Sequence, residues 1–346
     1  MKKKIIITGI SGFVGDYLFH FFKNKNYKIY GIDNIRPNFS IEKKNFFKVN
    51  IKNKYKIIKI ITKIKPYAVI HAASILFENL PVKKYWDVNY YATLNLINIC
   101  DLVGVKKFIF LSTFSLFEKN YKSSVKETSH PTFQTIYGKT KYYAEHVLLS
   151  HQFKGNIIVF RCPVIIGPRR MFRFSILYQL IKENINIPII GDGGNKLSYI
   201  HVKDLAEAIE KSFELDKNYV LNICADNSLK LKDIILNLIK KNKSKSSIIF
   251  FPKWLGNIFL SLIIYLKLIP FFRYQKNLLN FNIVLDSYRI KKILKWKPKY
   301  SVNSMFEENY KYYIKYQENF NIKHTSSEIV NSFRLKIFKT LLKLLF

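Results

Sequence analysis

Tyr137 and Lys141, in the run Tyr137-Gly138-Lys139-Thr140-Lys141, fall four residues apart and share one face of any helix that contains them. An ammonium beside a phenol stabilises the phenolate and lowers its pKa, so such a tyrosine can exchange a proton with a substrate hydroxyl near neutral pH. The pair alone recurs by chance in a chain with 23 tyrosines and many lysines; its meaning depends on its neighbours. Upstream, Ser112-Thr113 ends a β-branched and aromatic run, where a hydroxyl can hold a reacting oxygen. A second group of residues has another chemistry. Gly9-x-x-Gly12-x-x-Gly15 lets a backbone turn tightly and lets a pyrophosphate approach its amides. Asp33 follows Gly15 by 18 residues, the place of a carboxylate that accepts hydrogen bonds from an adenosine ribose and repels a 2′-phosphate. That favours NAD over NADP, although Arg36 is a cation that could take the extra phosphate.

These residues need elements to hold them. Ile5–Thr8 reads as a buried strand entering the glycine loop, Tyr17–Phe22 as a helix leaving it, and Lys28–Ile32 as a strand ending at Asp33. Further strands are expected at Ala68–His71, Lys107–Ser112, Ile157–Arg161, Ile187–Ile190 and Val220–Ile223. Helices are expected around Lys54–Lys65, Val88–Leu102, Tyr137–Ser150 and Asp204–Phe213. Strands alternating with helices imply right-handed crossovers and a parallel sheet covered on both faces. The ends of its strands are where such sheets bind ligands.

With these motifs in order, the sequence resembles the extended short-chain dehydrogenase/reductase family, the NAD-dependent epimerase/dehydratase group, over about residues 3–315. The glycine loop, with Ser11, Phe13 and Val14 among its residues, matches the family's nucleotide fingerprint, and Asp33-Asn34 its ribose-binding strand end. Asn50-Ile51 stands where the family usually has an Asp followed by Ile or Leu at the adenine. His71-Ala72-Ala73-Ser74 is similar to the nicotinamide-side loop, and Asn89 with Thr93 to an Asn-x-x-x-Thr helix that braces the site. Thr113, Tyr137 and Lys141 match the catalytic triad. Arg161 to Arg169, Gly191-Asp192-Gly193, Tyr199 to Asp204 and Trp296-x-Pro298 resemble later family segments. The resemblance implies an α/β, Rossmann-type doubly wound parallel sheet with a smaller C-terminal substrate-binding domain. It places a NAD-binding domain at 1–163, rejoined by 200–224, and a substrate-binding domain at 164–199 and 225–320.

Members differ in the step that comes after the first oxidation. Dehydratases of the group need an Asp-Glu pair directly after the Thr, and decarboxylases a Glu two residues after it; here Phe114 and Ser115 follow Thr113. Simple hydride transfer remains. Given twice to opposite faces it makes a nucleotide-sugar epimerase of the UDP-hexose 4-epimerase kind, with Tyr137 as acid/base. Two departures keep a second reading open. The Arg-Asp pair that grips a diphosphate in UDP-sugar epimerases is replaced by Leu197-Ser198, with Lys196, Arg173 or Arg289 as substitutes and Ser112 and Arg161 as further substrate contacts. Trp254–Phe272 is strongly apolar, as in relatives acting on sterol-like or isoprenoid alcohols, which suggests an NAD(P)-dependent dehydrogenase or reductase of such an alcohol or of a nucleotide sugar. An ordinary buried helix explains that stretch as well. A third reading is a nucleotide-binding protein without turnover.

Composition bounds the rest. Net charge is +35, but only eight of the 58 cations are Arg and the lysines are scattered. Nucleic-acid binding favours clustered Arg, so a solvated lysine-rich surface is expected, with no nucleic-acid partner. Such a field draws in anionic substrates. Cys100, Cys162 and Cys224 form no disulfide framework or metal knuckle, and the seven histidines form no metal-ligand spacing. Met1 to Ile7 imitates a secretory signal, but the apolar run stops at Thr8-Gly9 with no cleavage site. A cytoplasmic enzyme is expected. The uncharged run Trp254–Leu266 has 13 residues, short of the about 20 that cross a bilayer. Residues 321–346 read as a basic amphipathic tail suited to peripheral contact with the inner face of a membrane, or to packing on protein. The resemblance also suggests a homodimer through the Val88–Leu102 and Tyr137–Ser150 helices.

Overall fold

Ile5, Ile6 and Ile7 are wholly buried, the state of a β-branched run whose sheet is covered on both faces. They lie in β1 (Lys3–Thr8). The computed structural model describes residues 2–76, 80–170, 174–265 and 281–317, with residue 340, the side chains at 259, 260, 263 and 264 excepted. The first half continues with α1 (Phe13–Lys23), β2 (Tyr27–Asp33), β3 (Phe46–Lys48), α2 (Lys54–Ile64) and β4 (Ala68–His71). Then come α3 (Val82–Tyr85), a π-helical turn (Trp86–Tyr91), α4 (Ala92–Val103), β5 (Lys107–Thr113), α5 (Ile136–Ser150) and β6 (Asn156–Cys162). The second half runs through β7 (Val164–Ile166), α6 (Ser175–Lys182), β8 (Ile187–Ile190), β9 (Tyr199–His201), α7 (Val202–Lys211) and β10 (Tyr219–Asn222). It ends with α8 (Leu231–Lys241), β11 (Ile248–Phe251), α9 (Lys253–Tyr265), α10 (Tyr288–Leu294) and α11 (Val302–Tyr316).

Seven strands form one parallel sheet in the order β10-β6-β5-β4-β1-β2-β3. The chain winds outward from β1 to one side and from β4 to the other, so a crevice opens beyond the carboxyl ends of these two neighbours. Alternation along β1 sends Ile5 and Ile7 to one face and Ile6 to the other. The first face is covered by Leu18 and Phe22 of α1, Leu205 and Ile209 of α7, and Ile290 and Leu294 of α10. The second is covered by Ile57 and Ile61 of α2, Leu96 and Cys100 of α4, and Leu148 of α5. Helix α2 shows how local sequence sets the boundaries. Asn53 Oδ1 accepts from the Lys56 amide at 3.0 Å to start it, four isoleucines spaced on one stripe bury it, and Lys65 ends it in a left-handed conformation.

A third core joins Tyr178 and Ile181 of α6, Ile187 and Ile189 of β8, Ile234 and Leu238 of α8, and Phe306 and Tyr310 of α11. Two short parallel pairs, β7 with β9 and β11 with β8, belong to this second half. Two details differ from expectation. Residues 288–296, expected with the substrate-binding unit, pack on the main sheet, because Ile290, Leu294 and Trp296 are buried against its first face. Helix α9 is not buried all round: Trp254, Ile258, Leu262 and Tyr265 are exposed, and Gly256 lies beside Ile190 of β8. Among the described residues no helix is long and apolar enough to cross a membrane. Arg173 and, residue 340 apart, the tail at 321–346 lie outside the described residues.

Candidate active site

The nucleotide end is a turn that only glycine permits. Gly9 sits at φ +71°, and a Cβ added there would lie 2.7 Å from Ala73 Cα. A Cβ at Gly15 would lie 2.2 Å from the Gly9 carbonyl, and one at Gly12 3.3 Å from the same oxygen. The first turn of α1 thus lies directly against the end of β1, with Ser11, Phe13 and Val14 between the glycines. No side chain caps that helix end, which suits it to an anion. At the tip of β2, Asp33 Oδ2 accepts from the Ser11 amide at 2.9 Å and Oδ1 from the Ile35 amide at 3.1 Å. Its carboxylate is therefore fixed beside the glycine loop, followed by exposed Asn34. These are features of a dinucleotide cradle, and the residues fit NAD. Asn50 turns its Oδ1 onto the Lys52 amide 3.0 Å away, while Ile51 packs partly against the second-face core.

On the other side of the crevice, β4 ends at His71. The Thr8 hydroxyl is 2.7 Å from His71 Nδ1, and His71 Nε2 is 2.9 Å from Thr93 Oγ1. The Thr93 hydroxyl already donates to the Asn89 carbonyl at 2.8 Å, so Nε2 carries the imidazole proton. Burial, then the charge of Lys141, pushes His71 down to about 3. The ring is a neutral strut that holds the Ala72–Ala73 loop to β1, where the Ala72 amide donates to the Thr8 carbonyl and the Ala73 amide to the Thr8 hydroxyl. Asn89, in the π-helical turn, binds three places at once. Its Oδ1 accepts from Ser74 Oγ and the Ile75 amide, and its Nδ2 donates to the Ile75 carbonyl and to Thr140 Oγ1. It thereby ties the loop after β4 to α5, one residue before Lys141. Such π turns recur at functional sites.

Tyr137 is half-buried in the first turn of α5, and Lys141, one turn on, is 1% exposed. Lys141 Nζ lies 3.8 Å from the centre of the Phe110 ring, a cation–π contact. Burial brings its pKa down to about 7, against the opposing charge of Glu145. Ser112 lies on the Phe110 side of β5 by the two-residue strand period; its Oγ is buried with no hydrogen-bond partner among the described residues, as befits a hydroxyl that a ligand satisfies. Thr113 accepts from the Ser115 amide at 3.1 Å and donates to Ser115 Oγ at 3.2 Å. Its strand partner is Cys162, and its place three residues beyond Phe110, which is level with His71, puts it at the crevice.

Three residues that the motifs do not reveal hold these in place. Glu118, 2% exposed, accepts from the Gln134 and Thr135 amides and from Thr135 Oγ1, and Thr135 caps α5 by accepting from the Gly138 amide. Burial raises the Glu118 pKa. Ser115 is fully buried against Thr113. The third is Glu145, missed in the sequence although spacing marks it, since Tyr137, Lys141 and Glu145 fall at i, i+4 and i+8. The expected substrate contacts fare differently. Arg161 is turned inward: its guanidinium makes a bidentate pair with Glu145, with Nη2 to Oε2 at 2.8 Å, and Nη1 donates to the Glu127 carbonyl at 2.8 Å. It braces β6 to α5. Arg289 lies over the Tyr219 ring. Tyr219 pairs with Ile158, four residues before Cys162, so Arg289 is about 13 Å down the strand from the Thr113 level. Lys196 is brought closer. Its amide donates to Asn282 Oδ1, and Asn282 in turn bonds Asn120 and Tyr121 on the segment leaving Thr113.

The model of the NAD dependent epimerase/dehydratase family matches residues 5–224. A dTDP-D-glucose 4,6-dehydratase of Dictyostelium discoideum is 29% identical over 239 residues, covering 60% of this chain and 55% of that protein. A UDP-glucuronate 4-epimerase of Thermodesulfobacterium geofontis is 27% identical over 224 residues, 58% of this chain and 68% of that protein. Among solved structures, the UDP-glucose 4-epimerase of Thermotoga maritima with UDP-glucose superposes with a TM-score of 0.75 at 22% identity. That alignment covers 91% of this chain and 99% of the other, and it shows the shared fold.

Proposed function

The chain belongs to the NAD dependent epimerase/dehydratase family, and on that premise we propose that it inverts the C4 hydroxyl of a nucleotide-linked hexose, with Tyr137 as acid/base and Thr113 and Lys141 beside it. The observation that carries this reading concerns carboxylates. Elimination of water from a 4-keto sugar needs an acid and a base next to the hydroxyl residue. Phe114 and Ser115 follow Thr113, and both are buried. The first carboxylate after them, Glu118, spends its oxygens on the start of α5. Hydride transfer without dehydration is the chemistry that this set of groups supports.

In this reading the Gly9–Gly15 loop and the α1 end hold the pyrophosphate of NAD, Asp33 takes the adenosine ribose hydroxyls, and Asn50 and Ile51 lie toward the adenine. Ala72, Ala73 and Asn89 flank the nicotinamide side. Bound NAD supplies a hydride acceptor that later returns the same hydride. The Tyr137 phenolate takes the proton of the 4-hydroxyl and gives it back once the ketone has presented its other face. Lys141 keeps that phenolate accessible near neutral pH by its charge. Thr113 holds the reacting oxygen. Lys196 or Arg173 faces the diphosphate in this reading; the lysine would be a point charge where an Arg fork binds in two places.

The lipid-alcohol reading has less support, since the described part of the apolar stretch turns Trp254, Ile258, Leu262 and Tyr265 to solvent. Exposed Tyr91, Leu102, Tyr143 and Leu149 support a homodimer through α4 and α5, and light scattering at twice the chain mass would check it. Three free, buried cysteines support a reducing compartment such as the cytoplasm. The proposed function is tested by proton NMR of UDP-glucose, UDP-galactose and UDP-glucuronate with purified protein and no added cofactor. Interconversion at C4 is expected; conversion only with stoichiometric consumption of NAD, or to a 6-deoxy-4-keto product, would overturn it.

A further inference from the structure

We propose that helix α9 docks the protein onto an anionic membrane surface. At 3.6 residues per turn, Trp254, Leu255, Ile258, Leu262 and Tyr265 fall within about 100° of one another around the helix. They are exposed by 69, 39, 60, 52 and 81% respectively. Phe250, at the end of the strand just before, is 51% exposed. The opposite side of the helix faces the protein: a Cβ at Gly256 would lie 2.8 Å from Ile190 Cγ1. A surface helix ordinarily buries its apolar stripe and shows its polar one. Among the described side chains of α9, an apolar stripe faces away from the protein while Gly256 lies against it.

An outward stripe of this size marks an interaction site, and charge identifies the occupant. Residues 230–265 contain seven lysines and no arginine, against a single acidic residue, Asp233. In the same half of the chain, Lys182, Lys243, Lys311 and Lys315 line an open cleft. Protein–protein interfaces are depleted of lysine, whereas a bilayer with anionic headgroups takes apolar side chains and lysines together. Trp254 at one end of the stripe and Tyr265 at the other are the rings that settle at headgroup level. The helix has 13 residues, which suits lying in the interface rather than crossing the bilayer. This inference is independent of the proposed reaction, because none of these residues belongs to the crevice at β1 and β4.

The test is co-sedimentation of the full chain with phosphatidylcholine vesicles with and without phosphatidylglycerol. Binding is expected only to the anionic vesicles. The double substitution Ile258→Glu with Leu262→Glu should weaken it at least about tenfold. Because both side chains are exposed, circular dichroism and C4 interconversion should stay as in the wild type. A blue shift of tryptophan fluorescence on vesicle addition, lost in Trp254→Phe, would place the helix itself in the headgroups. Equal vesicle binding by wild type and double variant would overturn the proposal. So would a wild-type dimer that the double substitution dissociates without any vesicle binding, since the stripe would then face a second copy of the chain.

Discussion

The Lys141 ammonium sits 3.8 Å from the centre of the Phe110 ring, almost wholly out of water. The carboxylate one helical turn further on, Glu145, is occupied by Arg161. The site thus keeps a desolvated cation beside Tyr137 with an aromatic face as its direct contact. That arrangement costs folding energy and lowers the lysine pKa.

Removing this charge should therefore stabilise the fold and abolish the reaction. The folded-state pKa of about 7 lies below the ordinary 10.5. Between those values the unfolded chain binds a proton that the native chain does not, so stability rises with pH across that window and the penalty is complete below about 7. Lys141→Met should melt higher than wild type, by more than about 1 kcal/mol at pH 6 to 7. The difference should shrink as pH approaches 10. Turnover should fall by at least about a hundredfold. Calorimetry across pH checks it; equal melting temperatures at neutral pH would remove the desolvated-cation account.

Arg161 has a bracing role in place of substrate contact. Arg161→Met leaves the Glu145 carboxylate buried without its cation, at a cost of about 3–5 kcal/mol. Adding Glu145→Leu should restore most of that stability, which a denaturation series on the two variants would show. A raised KM for the nucleotide sugar at unchanged stability would return Arg161 to the substrate.

Glu118 fixes the cap of the helix that carries Tyr137. Glu118→Gln keeps one acceptor but aims an amide N–H₂ at groups that already donate, a loss of about 1–3 kcal/mol. A role in positioning predicts more than lowered stability. The limb of the pH–rate profile that reports Tyr137 should move to higher pH, with KM for sugar nearly unchanged. A lower melting temperature with an unmoved profile would make Glu118 merely structural.

Much of the architecture was legible because its signals are local. Ile5–Ile7, the three glycines with Asp33, and the four-residue step from Tyr137 to Lys141 each carry their meaning within a few residues. The features that were not legible depend on partners distant in sequence. Glu118 lies 16 and 17 residues from the amides it binds. Arg161 read as available because its partner lies on another element. The three residues of β3 are too few for a period to show, and the π-helical turn at Trp86–Tyr91 has no sequence mark of its own. The apolar stretch at Trp254 was visible, but which of its side chains face solvent depends on tertiary packing such as Gly256 beside Ile190. For the same reason residues 288–296 pack on the main sheet, while α11 beyond them returns to the third core.

In the proposed epimerisation one hydride leaves C4 and comes back to it while Tyr137 handles the proton. Its most direct test is UDP-glucose deuterated at C4, incubated with purified protein in ordinary water without added NAD. UDP-galactose with the deuterium still at C4 is expected, and none formed by Tyr137→Phe. Product that has lost the label to solvent, or a Tyr137→Phe variant that converts substrate at the wild-type rate, would contradict it.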